Sequence, residues 1–281
     1  MGAPPLRYRP PGPGLAPHVH GYFGYHYPPH SPQRRLVFPD TACTVVFGFD
    51  VPVQIVGLVE PVRTVSCRSR ADLPFTTALL GHHDGGVRGV AVRLSPMGAY
   101  RLFGIPMYEW DLPHLDPVHL LPPALRHLPE RLEAAADWAQ QCRLLDEYLA
   151  RLHGAGPRPR IAPEVACAWR ELELRRGRVT VGDLAAATHC SVRQLERRFR
   201  EQVGRSPGAI ARILRFRAAL RLRESGLPPC LVAQRCGFHD QAHYNHVFKA
   251  TTGLTPTQMP AVPMNWSTRA ARPNSPAWEA T

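Results

Sequence analysis

Polar side chains with hydrogen-bonding groups recur at helical spacing in two stretches of the chain. The first stretch carries Arg193, Glu196, Arg197 and Arg200, and the second carries Gln241, Asn245, His246 and Lys249. Side chains of these types donate to or accept from base edges, and the basic ones also pair with phosphates. The chemistry that this spacing favours is recognition of nucleic acid.

The two stretches belong to two copies of one helical unit. A shift of 49 positions places Tyr244, Phe248, Gly253 and Pro256 on Leu195, Phe199, Gly204 and Pro207. Each copy predicts a short helix, a tight turn and a longer helix that begins after a capping residue, Ser191 or Asp240. Apolar residues at i and i+4 give each longer helix one buried stripe and leave its opposite face free. The pattern is that of a helix-turn-helix motif occurring twice, with second helices at 191–203 and 240–252.

The elements around the motifs are also predicted by their caps. A helix over 163–176 precedes a short helix over 181–187 that is capped by Thr180. A long helix begins with Ser206 as cap and Pro207 at its first position, and ends near Gly226. Because this helix is continuous, we expect it to hold the second helices roughly 34 Å apart, about one turn of DNA.

The net charge of +12 is concentrated in the repeat region. Residues 158–259 hold 18 Lys and Arg against 8 Asp and Glu, a net charge of +10, whereas residues 1–157 hold 14 against 13. A bias in composition would not place the excess in one region. A polyanion such as DNA is the partner that this charge favours.

The run from Val179 to Met259 resembles the DNA-binding domain of the AraC/XylS family of bacterial transcription regulators. The motif that carries the resemblance is GFHDQAHYNHVFKATTGLTP, and the resemblance covers about a third of the chain. Pro229 stands where the family usually has a buried Ile, and Leu231 where it usually has an acidic residue. Proline is compatible with the first turn of a helix, so the first departure concerns the start of that helix.

The resemblance implies which residues read DNA. It places base-reading positions at Val192, Arg193, Glu196 and Arg197 in the first motif and at Gln241, Ala242, Asn245 and His246 in the second. We assign four further residues to phosphates, with a solvated surface side chain as the alternative for each: Arg200, Arg205, Arg212 and Lys249.

The front of the chain is predicted to be rich in β-strands. Short β-branched runs between residues 36 and 92, separated by turn signals, predict a small antiparallel sheet or barrel. Ser95 caps a short helix, and apolar residues between 129 and 152 predict amphipathic helices, which pack on the domain's own sheet or form a dimer interface. The predicted fold class is α+β: a barrel-like β-rich N-terminal domain and an all-α C-terminal domain with two helix-turn-helix motifs joined by a long helix.

The segment 18–30 is dense in histidine and aromatic residues. Alternation of this kind suits an ordinary strand. Two alternatives stay open: a metal site that His82 and His83 complete, although the spacing fits no standard ligand set, and an aromatic pocket for a small effector.

The predicted organisation has five parts. These are a disordered arm at 1–17, the β-rich sensor or dimerisation domain at 18–153, a linker at 154–160, the DNA-binding domain at 161–260 and a disordered tail at 261–281. The seven cysteines form no CxxC pair, which favours reduced cysteines in the cytoplasm. No run of 18 apolar residues predicts a helix that crosses a membrane.

Taken together, these features predict a cytoplasmic, sequence-specific DNA-binding regulator of transcription that acts as a monomer or homodimer. Its expected partners are double-stranded DNA and, in addition, RNA polymerase and a small effector bound by the N-terminal domain. No cofactor, metal or catalytic residue is predicted, since the sequence shows no Ser/His/Asp, P-loop or GxGxxG arrangement. The alternatives are an enzyme or metal-binding barrel with a helical targeting module, and a helical repeat that binds protein.

Overall fold

The computed structural model describes residues 6–111, 115–154 and 158–258. Its strands are β1 Arg7–Arg9, β2 Val19–Tyr27, β3 Gln33–Val37, β4 Cys43–Gly48, β5 Val53–Gly57, β6 Thr64–Cys67, β7 Arg70–Asp72, β8 Leu79–His83 and β9 Val87–Leu94. Its α-helices are α1 Pro96–Phe103, α2 Leu128–Glu133, α3 Trp138–Gly154, α4 Pro163–Leu174, α5 Val181–Ala187, α6 Val192–Gln202, α7 Pro207–Glu224, α8 Pro229–Arg235 and α9 Gln241–Thr252. Short 3-10 helices lie at Met107–Trp110, Pro117–Leu120 and Pro123–Leu125.

The front domain is built from two antiparallel sheets. One has the order β1-β2-β9-β4-β7 and the other β3-β8-β5-β6. Strand β9 is buried along nearly its whole length, because it lies at the centre of the first sheet with helices packed against it. The β-rich N-terminal domain is confirmed, and its two sheets stay open where the sequence analysis allowed a closed barrel.

Three strands differ from the sequence prediction. The sequence does not predict β7, because it is only three residues long, or β8, because it ends in two histidines. The disordered arm is wrong for its described part: β1 pairs with β2, and Leu15 is only 4% exposed. The histidine-rich segment forms β2, as its alternation predicted.

Helices α2 and α3 pack against the domain's own sheet. Leu132, Leu145 and Tyr148 are fully buried in the core that the first sheet forms with α1 and α3. The Tyr22 hydroxyl on β2 donates to Asp146 Oδ1 at 2.7 Å, which ties α3 to the strand. These contacts favour the packing interpretation over the dimer interface for the buried face of α3.

The helical domain follows the predicted boundaries closely. Ser191, Ser206 and Asp240 each accept a hydrogen bond from the third backbone N–H of the helix they precede, as predicted. Helix α4 ends at Leu174, two residues before the predicted end. The buried stripes of α6 and α9 lie in two separate clusters, because α7 presents buried residues to both.

The two domains share part of their core. Leu36, Phe38 and Ala78 from the front domain lie in one cluster with Phe216 of α7 and Phe248 of α9. The Ala78 N–H donates to the Thr251 carbonyl at 2.7 Å. The two domains on either side of the predicted linker are therefore in direct contact.

The predicted linker and tail lie partly or wholly outside the described residues. Helix α3 extends through Gly154, residues 155–157 of the predicted linker lie outside the described residues, and so does the predicted tail at 261–281. All seven cysteines are free. Within the described ranges, no helix combines the length and the apolar character that crossing a membrane requires.

Candidate nucleic-acid interface

Helix α6 presents the first set of predicted base-reading side chains. The Ser191 hydroxyl accepts from the Gln194 N–H at 3.2 Å, and the Gln194 side chain accepts from the Ser191 N–H at 3.1 Å. This capping box fixes where the helix begins, because both side chains satisfy backbone donors of its first turn. The predicted residues of this motif are all exposed: Val192, Arg193, Glu196 and Arg197.

Helix α9 presents the second set in the same way. Asp240 Oδ1 accepts from the His243 N–H at 2.7 Å, and this backbone hydrogen bond holds the pKa of the Asp240 carboxyl below its ordinary value. The carboxylate therefore stays charged at neutral pH as the cap of α9. Three of the predicted residues are exposed and Asn245 is half-buried: Gln241, Ala242, Asn245 and His246.

The opposite faces of the two helices are anchored in the protein. Leu195 and Phe199 of α6 are fully buried, and Tyr244 and Phe248 of α9 are 1% exposed. Arg198 on the flank of α6 forms an ion pair with Glu164 of α4. Each helix is thus fixed along one side, and its polar side faces away from that core.

The 18-residue helix α7 joins the two motifs. At 1.5 Å per residue its axis is about 27 Å long. The spacing of the two motifs by about one turn of DNA, roughly 34 Å, stays a prediction.

Helix α8 begins at Pro229, the position that departs from the family pattern. Pro228 precedes it and supplies no side-chain cap, and proline at the first helical position loses no hydrogen bond. Val232 and Ala233 are buried as the repeat predicts. Leu231 is 40% exposed, as expected for a position where the family has an acidic residue.

The four predicted phosphate contacts separate into two groups. Arg200, Arg212 and Lys249 are exposed. Arg205 is half-buried and held by the front domain: its Nε donates to the Pro74 carbonyl at 2.7 Å, and its Nη1 lies 2.9 Å from Asp111 Oδ1. A phosphate contact by Arg205 stays a prediction that requires this interdomain contact to open.

A cleft of about 830 Å³ separates the exposed face of α6 from the front domain. One wall carries three arginines of α6, and the other carries residues that the sequence analysis did not single out, Pro106 and Tyr108. Their sequence context is a Pro-rich connection, which contains no spacing signal for a site.

A second pocket, of about 320 Å³, lies between the second sheet and the end of α9. Leucines line most of it, with Arg34 at one side. The described residues include no group of three or more His, Cys, Asp or Glu side chains that could hold a metal ion.

Comparison with known proteins agrees with the helical part of the structure. A family model described as a helix-turn-helix domain matches residues 184–260. A segment of 70 residues is 39% identical to the HTH-type transcriptional activator RhaR of Enterobacter sp. (strain 638), and it spans a quarter of this chain and about a quarter of that relative.

Two solved structures are similar at a distance. ToxT from Vibrio cholerae is 10% identical with a TM-score of 0.42, over 80% of this chain and 96% of that one. The C-terminal domain of AraT, a response regulator from Geobacillus stearothermophilus, is 24% identical with a TM-score of 0.32, over 42% of this chain and 93% of that one. The family match and the RhaR relative, together with the two capped motifs joined by α7, identify residues 184–260 as a helix-turn-helix domain.

Proposed function

We propose that this chain is a sequence-specific DNA-binding regulator of transcription that reads two successive segments of the major groove with α6 and α9. The observation that carries the proposal is the pairing of two capped helices, each with a buried stripe and an exposed polar face, near the ends of α7. The concentration of positive charge in residues 158–259 supports the same partner.

The roles of individual residues follow from their chemistry. Arg193 and Arg197 have the bidentate donors that fit guanine O6 and N7, and Gln241 and Asn245 have the amide that fits adenine N6 and N7. Glu196 accepts from cytosine N4, while Val192 and Ala242 touch a thymine methyl. His246 is the fourth base-reading residue of α9. Arg200, Arg212 and Lys249 contact phosphates, which position the protein without selecting a sequence.

The location, oligomeric state and partners of the protein are also part of what we propose. We propose a cytoplasmic protein without enzymatic activity, working as a monomer or homodimer, with RNA polymerase as a further partner. A small effector remains part of the proposal. The pocket of about 320 Å³ beside Arg34 is the place to test for it, because its leucines join the second sheet to the end of α9.

Selection of binding sites from random DNA tests the mechanism. Arg193→Ala and Asn245→Ala each remove one base contact, so each should cost about 1–3 kcal/mol on the selected site and relax different base pairs. Because α7 separates the two helices, the relaxed positions should lie about 10 base pairs apart.

Lys249→Ala is the matched control for a phosphate contact. It should weaken binding to all sequences nearly equally and reduce the slope of log affinity against log salt by about 1. Wild-type binding that does not depend on salt would contradict the DNA-binding proposal. An unchanged selected sequence for Asn245→Ala, with an altered one for Arg193→Ala, would limit base reading to the first motif.

A further inference from the structure

The 3-10 helix Met107–Trp110 presents one exposed aromatic side chain beside α6. Met107 and Trp110 are buried in the core of the front domain at 0% and 1% exposure, whereas Tyr108 between them is 55% exposed. Within the described ranges, no residue forms a hydrogen bond with the Tyr108 hydroxyl. A large aromatic side chain is therefore held outward on a firmly anchored turn.

The turn is fixed relative to α6 by contacts at the end of that helix. The Tyr100 hydroxyl donates to Glu201 Oε1 at 2.9 Å, and burial together with this bond raises the pKa of Tyr100 to about 12, so the hydroxyl stays a donor. Gly204, at φ +81°, lies so near Leu73 that an added Cβ would come within 2.6 Å of its side chain. The Arg205 contacts with Pro74 and Asp111 close the same junction.

The cleft between Tyr108 and α6 is basic on its helical wall. Arg193, Arg197 and Arg200 line it together with Glu196 and Glu201. Glu201 accepts from the neutral Tyr100 hydroxyl and keeps its charge, so three guanidinium groups stand beside two carboxylates on this wall. Arg200, assigned to a phosphate, and Tyr108 on the facing wall offer a phosphate group donors from two sides of this cleft.

We infer that one sugar-phosphate strand of the duplex read by α6 lies in this cleft, and that the Tyr108 hydroxyl donates to one of its phosphates. This inference rests on the proposed function. A major groove is about 12 Å wide, close to the 10–12 Å diameter of a helix with its side chains, so the strands that border the groove lie directly against whatever flanks the helix. Tyr108 flanks α6 on the side of the arginines. The front domain would thus contribute a DNA contact of its own.

The test is DNA binding by full-length Tyr108→Phe, which removes the hydroxyl and keeps the ring. Affinity should fall about two- to tenfold for the selected site and for unrelated DNA alike, because a phosphate contact is independent of sequence. The slope of log affinity against log salt should not change, since a neutral hydroxyl releases no counterion. Arg200→Ala, on the opposite wall, should weaken binding and also lower that slope by about 1.

Tyr8→Phe is the matched control, because it removes a front-domain hydroxyl that donates to the His20 carbonyl outside the cleft. It should leave DNA affinity unchanged. Wild-type binding with no effect of Tyr108→Phe would overturn this inference alone, and tighter binding would show instead that Tyr108 obstructs the duplex. A wild-type chain that binds no DNA would overturn the proposed function itself.

Discussion

Asp40 joins the two domains through a buried charge cluster. Its carboxylate lies 2.5 Å from Arg93 Nη2 of β9 and also pairs with Arg217 of α7. The three residues are at most 6% exposed. Removal of their charges from water is costly, so the cluster is stable only while both arginines retain their shared partner.

Asp40→Asn should therefore lower the free energy of unfolding by about 3–5 kcal/mol, because two buried guanidinium groups lose the counterion that they share. Chemical denaturation of the full chain measures this loss. The matched control is Asp50→Asn, since the Asp50–Arg88 pair is 38–39% exposed and should cost no more than about 1 kcal/mol. Equal losses in the two variants would show that burial of the Asp40 cluster does not govern its contribution.

The role of Asp40 could not be predicted from the sequence. Asp40 follows a proline between two β-branched runs, where the sequence indicates only a turn, and nothing in the sequence singles out Arg217 among the arginines of α7. The two residues are 177 positions apart, and periodicity carries no information about pairing over such a separation. By contrast, the exposed residues of α6 and α9 could be predicted, because helical spacing alone determines which side of a helix they occupy.

Helix boundaries were predictable at the element scale because capping is a local interaction. Ser95, Thr180, Ser191, Ser206 and Asp240 each accept a backbone N–H within three residues. The short polar strands β1 and β7 were not predictable, since their pairing partners and not their own residues make them strands.

Ser191→Ala tests the contribution of one cap. The variant leaves a first-turn N–H of α6 without its acceptor, so unfolding should become easier by about 1 kcal/mol. Specific DNA affinity should fall as well, because Val192 and Arg193 lie in the turn that loses its anchor. Thermal unfolding and DNA binding measure the two effects.

Ser191→Asn is the control, because an asparagine side chain still accepts from the same N–H. It should restore stability to nearly that of the wild type. If Ser191→Ala and Ser191→Asn lost equal stability, the hydroxyl would matter for something other than the cap.

At the scale of the whole molecule, the front domain and the helical domain pack together, although the sequence predicts two separate domains. Composition and charge divide the chain near residue 157, and the folds of the two parts follow that division. The apolar clusters do not follow that division. The ring centroid of Phe38, which follows β3, lies 6.1 Å from that of Phe216 in α7. The Phe216 centroid lies in turn 5.5 Å from that of Phe248 in α9. Three aromatic rings thus connect the front domain, the connecting helix and the second reading helix.

This connection predicts that a change in the front domain loosens α9. Phe38→Leu should remove the ring contact with Phe216 while keeping an apolar side chain, at a cost below about 1.5 kcal/mol, so the chain still folds. Amide hydrogens of α9 should then exchange up to about tenfold faster, because the Phe216 ring that packs against Phe248 of α9 loses its support from Phe38. Phe23→Leu is the matched control, since Phe23 is also buried, at 4% exposure against 2% for Phe38, but packs with Val46 and Ala91 inside the front domain. Its effect should stay within the first sheet. An exchange rate in α9 that Phe38→Leu leaves unchanged, or that both variants raise equally, would show that the shared core does not couple the front domain to α9.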